Sequence, residues 1–374
     1  MSIYILPYPH PVLEESIMVM RAARWLSRQL TRLVRYLHPS PGLGALALPP
    51  ELIFIIAGYL DTPSAVSLSL TSRTMYTLCF STMPHMDPKG KEELLLWLEK
   101  DNGTLYFCHY CTKIHQWNAR WGDSNYLRNR GDLPCWEHAR NGCICFPIIC
   151  DITYHHARLI MNRHFYGSIH GLPLSTLRKH CRSYSPIFKV KYAETLQACI
   201  SDDQLLALAT RTISQSRTTA RSLRHYIDSQ GGWICNHLAI NKGNGYNIVQ
   251  LPELTAGRNT PIHFAPCDTS FGSCPECFTD YDIDITWGGE KGGFVIKIAV
   301  YGQLGQCRSP FDWSWLAMTR QRVEGRPRIV RSQDYGPGLV RDRWNRAGGI
   351  GSERQGAWVE VPSLRRHLER SGGL

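Results

Sequence analysis

The spacing of the cysteines is the feature that most constrains this chain. Several of its 14 cysteines are paired with another cysteine or a histidine at distances typical of metal ligands. No charged segment followed by an apolar core opens the chain, and disulfides form rarely inside the cell. We therefore expect an intracellular protein, in the cytoplasm, the nucleus or both, whose cysteines bind metal or pack as free thiols.

The stronger metal-ligand pattern combines Cys274-x-x-Cys277 with Cys235-x-His237. Two cysteines in the first spacing can reach one ion from a tight turn, and zinc favours four sulfur or nitrogen ligands. An ion that joined the two pairs would close a polar, Gly-rich loop that has too few apolar residues to fold alone. The pattern predicts structural zinc, and the competing interpretation is a thiol cluster that packs without metal. The alternatives for the second pair are His263 and Cys267.

A second pattern is Cys108-x-x-Cys111-x-x-x-His115, which supplies three ligands of the same kind. Cys135, which follows a Leu-Pro pair, is our choice for the fourth. We therefore expect one or two structural zinc ions, depending on whether one of these two sites is filled or both. The alternatives to Cys135 are His138, Cys143 and Cys145.

Residues 48–80 are predicted to form three short helices with unusually apolar surfaces. A proline pair opens the first helix, where a missing N–H costs nothing. Thr62, and then Thr71 or Ser72, stand where the N-caps of the next two helices are expected. Three such helices cannot bury all their faces within about 40 residues. Part of this surface must therefore meet a partner or the rest of the chain.

The whole apolar pattern, beginning with the Leu-Pro-x-Glu-Leu run of residues 48–52, resembles an F-box. F-boxes are three-helix motifs that dock on the Skp adaptor of Skp–cullin–F-box ubiquitin ligases. The resemblance implies that this chain binds the Skp adaptor and, through it, cullin. The residues that it places at the adaptor interface are Leu48, Pro49, Leu52, Ile56, Leu60, Leu68, Leu70, Met75 and Leu78.

Roughly residues 45–345 are similar to a family of uncharacterised fungal F-box proteins. The similarity implies a shared C-terminal domain and leaves the target open. It rests on the runs LYFCHYCTKIHQW, ARLIMNRHFYGSIHGLPL, CPECFTDYDIDI, YGQLGQCRSPFDWSW and DYGPGLVRDRW.

Two patterns predict secondary structure beyond the F-box. Apolar and polar residues alternate over 281–301, which is typical of a β-hairpin with a Gly-rich turn. Asp280, Asp282 and Asp284 follow the strand period, so we expect a solvated strand face and not a calcium site. The run Ser-Asp-Asp-Gln at 201–204 has the form of a capping box and predicts a helix over 205–213.

Both ends of the chain are basic. Five arginines form one stripe of a predicted amphipathic helix over residues 12–38, which we expect to dock on the protein's own body and not on a membrane. The last stretch, 319–374, is rich in arginine, glycine and proline, and we interpret it as a partly disordered tail. The net charge of +11 permits nucleic-acid binding without requiring it, and we expect none.

We therefore predict an α+β protein with four parts: a basic helix and linker (1–44), the F-box (45–92), a mixed α/β target-recognition domain with a β-hairpin and zinc knuckles (93–318), and the tail (319–374). Its expected role is the non-catalytic substrate-recognition subunit of a ubiquitin ligase that holds an unidentified target protein. No phosphate-binding loop or nucleophile elbow argues for an enzyme. The alternatives are an F-box scaffold outside the ligase and a basic zinc protein that binds nucleic acid.

Overall fold

The structure is a computed structural model. It describes the residues in the ranges 48–79, 85–122, 135, 144–146, 150–215, 220–230, 232–240, 247–248, 254–255, 263–264, 267–287, 293–319 and 335–348. Within these ranges, no helix is long and apolar enough to cross a membrane. The basic helix expected over residues 12–38 lies outside them.

The chain divides into two compact units, Met1–Asp101 and Asn102–Leu374. The first unit contains four described helices. Asp61 caps the second of them, because its Oδ1 accepts a hydrogen bond from the Ser64 amide at 3.1 Å; this cap lies one residue before the expected Thr62. Ser72 caps the third through the Met75 amide, also at 3.1 Å. The four helices are α1 (Pro50–Tyr59), α2 (Thr62–Leu70), α3 (Arg73–Cys79) and α4 (Pro88–Asp101).

The second unit is built around a six-stranded antiparallel sheet, and one face of this sheet lies in a large apolar core. The described helices of this unit are α5 (Tyr154–Tyr166), α6 (Ala220–Gln230), α7 (Trp313–Leu316) and α8 (Leu339–Ala347). Its described strands are β1 (Leu105–Cys108), β2 (Lys113–Gln116), β3 (Ile144–Phe146), β4 (Cys150–Ile152), β5 (Lys179–Ser185), β6 (Val190–Ser201), β7 (Gln204–Ser214), β8 (Trp233–Cys235), β9 (Leu238–Ala239), β10 (Asn247–Ile248), β11 (Leu254–Thr255), β12 (His263–Phe264), β13 (Cys267–Ser273), β14 (Thr279–Trp287) and β15 (Phe294–Gly305).

The strand order of the large sheet is β13-β14-β15-β7-β6-β5. The hairpin expected near residues 281–301 is present as β14 and β15, which pair in register from Thr279 opposite Gly302 to Trp287 opposite Phe294. Alternate residues such as Ile283 and Ile298 are buried in the core, as the period of two requires.

The prediction of a helix over residues 205–213 is wrong, because this segment is strand β7. Asp202 and Asp203 have φ angles of 51° and 57°, so they form a two-residue reversal between β6 and β7, with Ser201 opposite Gln204. Two-residue hairpins favour turns with positive φ at both central positions, and aspartate tolerates that conformation. The apparent capping box is therefore a hairpin turn.

Part of the expected tail is folded. Helix α8 packs on the large sheet, where the buried Asp280 side chain accepts hydrogen bonds from the amides of Val340 and Arg341. Asp282 forms a 2.8 Å ion pair with Arg341. The expectation of a solvated aspartate face is therefore wrong for these two residues, because a helix from the far end of the chain covers them.

Candidate metal centres and adaptor-binding surface

The first cysteine cluster forms on the hairpin of β1 and β2. Cys108 ends β1, Cys111 lies in the turn, and His115 lies on β2. Thr112 has a φ of 52°, in the left-handed region, which reverses the chain immediately after Cys111. Cys135 approaches from a separate segment of the chain. We define these four side chains as the first centre.

The ligand atoms of the first centre all lie within 4.8 Å of one another. His115 Nε2 lies 3.0 Å from Cys111 Sγ and 3.6 Å from Cys135 Sγ. Ligands placed tetrahedrally around zinc at about 2.0–2.3 Å are separated from one another by roughly 3.3–3.8 Å. Small adjustments of the side chains would therefore admit one ion.

The thiols of the first centre do not behave as independent groups. Contact with Cys111 and then with His115 lowers the pKa of Cys108, whereas contact with Cys108 and then burial raise the pKa of Cys111. Burial likewise raises the pKa of Cys135. Without a cation, the cluster therefore favours one thiolate beside two protonated thiols. A divalent cation would stabilise all three as thiolates.

The second cluster joins two turns of the second unit. Cys235 ends β8 and His237 lies in the short connection to β9, while Cys274 and Cys277 lie in the connection from β13 to β14. The latter turn is tight, because the Cys274 amide donates to the Thr279 carbonyl at 2.8 Å. We define these four side chains, Cys235, His237, Cys274 and Cys277, as the second centre.

The ligand atoms of the second centre also lie within 4.8 Å of one another, close enough that they could hold a metal ion. His237 Nδ1 lies 3.9 Å from Cys235 Sγ and 3.7 Å from Cys274 Sγ. The backbone amides of His237 and Glu276 donate to the sulfurs of Cys235 and Cys274 at 3.5 and 3.4 Å. Amide donors aimed at sulfur stabilise thiolates, the form that binds metal.

Burial distinguishes the two centres. The three cysteines of the second centre are fully buried, whereas Cys111, His115 and Cys135 of the first are only half-buried. Burial raises the pKa of Cys274 to about 11 and also raises that of Cys277. For Cys235, hydrogen bonds from Cys274 and Cys277 outweigh burial and lower the pKa. Several buried thiolates are tolerated only beside a compensating cation.

The structure thus brings together both sets of four predicted ligands. The structure does not describe the side chains of the alternative ligands, which are His138, Cys143, Cys145, His263 and Cys267. The spacing patterns missed His155, whose imidazole contacts Cys108 from helix α5. Its position in sequence, 47 residues beyond Cys108, carried no signal of this contact.

A different surface lies on helix α1 of the first unit. Ile53 is buried, and with Met75 and Ala57 it forms a small core of its own. Nearly every other large side chain of the helix is exposed. The exposed apolar residues along and beside α1 are Leu48, Leu52, Phe54, Ile55, Ile56, Tyr59 and Leu60, with exposures between 37% and 87%.

Most residues expected at the adaptor interface are accessible. Leu48, Leu52, Ile56 and Leu60 are spaced four residues apart and exposed together with Pro49, while Leu68 and Leu70 are half-buried. Met75 departs from the expectation, since it is 4% exposed and packs on Ile53. The side chain of Leu78 lies outside the described residues. The sequence pattern did not predict the exposed residues Phe54, Ile55 and Tyr59. Helix α1 is apolar on all sides, so periodicity could not show which of its faces is exposed.

In a comparison with known families, residues 46–86 match the F-box domain. No curated protein and no solved structure matches the chain. F-box domains typically bind the Skp adaptor and through it cullin, and F-box proteins are typically non-catalytic adaptor subunits of ubiquitin ligases. The short helices and exposed apolar surface of the first unit agree with this match, and residues 46–86 are accordingly identified as an F-box domain.

Proposed function

We propose that this protein is the substrate-recognition subunit of a Skp–cullin–F-box ubiquitin ligase. The first unit docks on the Skp adaptor, and the second unit holds a target protein. The protein performs no chemistry itself. It contributes proximity, because a bound target presents its lysines to the conjugating partner of the ligase at high effective concentration.

The observation that carries this proposal is the exposed apolar surface of α1. Ile55 and Tyr59 are 56% and 87% exposed on a helix of ten residues. A contiguous apolar surface of this kind usually marks a protein interface. It would form the dehydrated centre of an adaptor interface, which for a specific complex typically buries more than about 1,000 Å² in total.

The test is direct binding between the full-length chain and a purified Skp adaptor, measured by titration calorimetry. Leu52→Asp combined with Ile56→Asp places two unpaired charges in the proposed interface, at a cost of several kcal/mol. We expect the affinity to fall by at least about 100-fold, since each 1.4 kcal/mol is tenfold. Both side chains are exposed, so the melting temperature should change little.

The matched control places the same two charges on the second unit. Tyr184→Asp combined with Ile187→Asp alters side chains that are 52% and 84% exposed, and it should leave adaptor binding intact. Equal affinities for wild type and the Leu52/Ile56 variant would refute the proposed interface. Loss of binding in the control variant would also contradict it.

We further propose that both cysteine centres hold structural zinc. The sulfur-rich ligand sets and the amide donors to sulfur in the second centre favour zinc over hard cations, which prefer oxygen ligands. Zinc would cross-link β8–β9 to the β13–β14 connection, and the β1–β2 hairpin to the segment of Cys135. Such cross-links would stabilise the proposed target-recognition unit.

A further inference from the structure

Helix α5 carries three histidines with different surroundings. His164 is partly exposed and its Nε2 lies 2.8 Å from Asp203. His156 is buried, and its Nε2 donates to the Trp121 carbonyl at 2.9 Å. His155 is 2% exposed, yet neither of its ring nitrogens makes a hydrogen bond of ordinary geometry to any described residue. His155 therefore lacks the partners that its neighbour has.

A buried imidazole without a hydrogen bond is costly. Leaving a buried donor or acceptor unsatisfied costs about 1–3 kcal/mol, so nearly all such groups find a partner. The rings of Tyr106 and Tyr110 pack around His155, with centroids 5.4 and 6.4 Å away. These contacts explain its burial, but they do not satisfy its N–H group.

The polar side chain beside His155 is a member of the first centre. The ring of Tyr106, two residues before Cys108 on β1, packs against both His155 and His115, with centroids 5.4 and 5.6 Å away. His155 therefore lies beside the first centre, where its imidazole contacts Cys108. A neutral thiol is a weak acceptor, whereas a thiolate accepts a strong, charge-assisted bond. An ion at the first centre would fix Cys108 as a thiolate and so provide an acceptor.

We propose that His155 is a positioning residue of the first centre, where its ring N–H donates to Sγ of the metal-bound Cys108. This inference rests on the proposed zinc at that centre. The bond connects the centre to helix α5, whose residues from Tyr154 to Asn162 are all buried. It orients a cysteine ligand and partly neutralises its charge, as partners of metal ligands commonly do.

The competing interpretation is that His155 only fills space between aromatic rings. The variant His155→Phe distinguishes the positioning role from the packing role, because phenylalanine retains the aromatic packing and removes the N–H donor. His155→Gln retains an N–H donor. The matched control is His164→Phe, on the same helix but at a position with its own partner in Asp203.

The experiment uses the full chain loaded with zinc and a chromogenic chelator as competitor. The zinc equivalent that is lost in Cys111→Ser identifies the first centre. We expect His155→Phe to weaken zinc binding there by about 10–100-fold, the usual effect of removing such a partner. His155→Gln should weaken it by less than about tenfold, and His164→Phe should leave it unchanged. Cobalt substitution should give a shifted sulfur-to-metal charge-transfer band in His155→Phe.

Three results would overturn this inference. Equal zinc affinity and an unchanged cobalt band in His155→Phe would reduce His155 to a packing residue. Complete loss of the first zinc in His155→Phe, with retention in His115→Phe, would make His155 a ligand. Wild-type protein with zinc only at the second centre would refute the first metal centre as well. Adaptor binding is measured separately, so none of these results bears on the F-box.

Discussion

The carboxylate of Asp280 attaches the N-terminus of helix α8 to the sheet. Its Oδ2 accepts hydrogen bonds from the amides of Val340 and Arg341 at 2.8 and 3.0 Å, and its Oδ1 accepts one from Ser273 Oγ at 2.6 Å. Asp280 is 1% exposed. A carboxylate in this place satisfies amides that the helix itself leaves unpaired, and it meets the positive end of the helix dipole.

Replacing Asp280 by alanine should therefore destabilise the second unit. The change leaves two amides and one hydroxyl without their acceptor, and we expect a loss of about 2–3 kcal/mol in the free energy of unfolding. Urea denaturation measures it. Asp284→Ala, four residues along the same strand at a half-buried position, is the control and should cost less than about 0.5 kcal/mol. Equal losses in the two variants would contradict this role.

Among the secondary-structure elements, those with a clear period of two or a turn motif could be predicted. The β14–β15 hairpin followed from the alternation of apolar and polar residues. Strand β7 was mistaken for a helix, because Leu, Ala and Thr fit either element and the positive φ of Asp202 cannot be read from its identity.

The spacing of the ligands predicted Cys108, Cys111 and His115. Cys135 had to be chosen among four candidates, since a ligand contributed by a distant segment has no fixed spacing.

The prediction of a solvated face was wrong for Asp280 and Asp282 of β14 for a related reason. Their alternation correctly placed them on one face of a strand, but sequence alone could not show that α8, about 60 residues later, would cover that face. Long-range packing thus decided burial where the local pattern could not. The same reasoning explains why the contact between His155 and Cys108 was missed.

Zinc at the second centre leads to a prediction about the turns that carry it. Cys274→Ser removes one ligand from a buried site, so the chain should lose one zinc equivalent, and its soluble yield and melting temperature should fall. Cys307→Ser is the matched control, because Cys307 is equally buried and lies outside both centres. It should retain both zinc ions. Elemental analysis after chelator-free purification measures the zinc content.

The competing thiol-cluster interpretation gives the opposite result. Wild-type protein would then contain fewer than about 0.2 zinc ions per chain, against the two expected from two tetrahedral sites. Cys274→Ser and Cys307→Ser would both cost packing only, to a similar extent.

At the scale of the whole molecule, the two compact units have different tasks in this account. The first has a small core and leaves most of helix α1 exposed. The second buries a large core around its sheet and contains both candidate metal centres. Such a division is expected when one part of a chain docks on shared machinery and the other part recognises a target.

The most direct test of the central claim is affinity purification of the tagged full-length chain, with quantification of the co-purified Skp adaptor and cullin. We predict that wild type recovers both in near-stoichiometric amounts, that the Leu52→Asp/Ile56→Asp variant loses both together, and that Tyr184→Asp/Ile187→Asp retains both. Recovery of the adaptor without cullin from wild type would contradict a role in the ligase. Equal recovery of both proteins by wild type and the Leu52/Ile56 variant would contradict the account altogether.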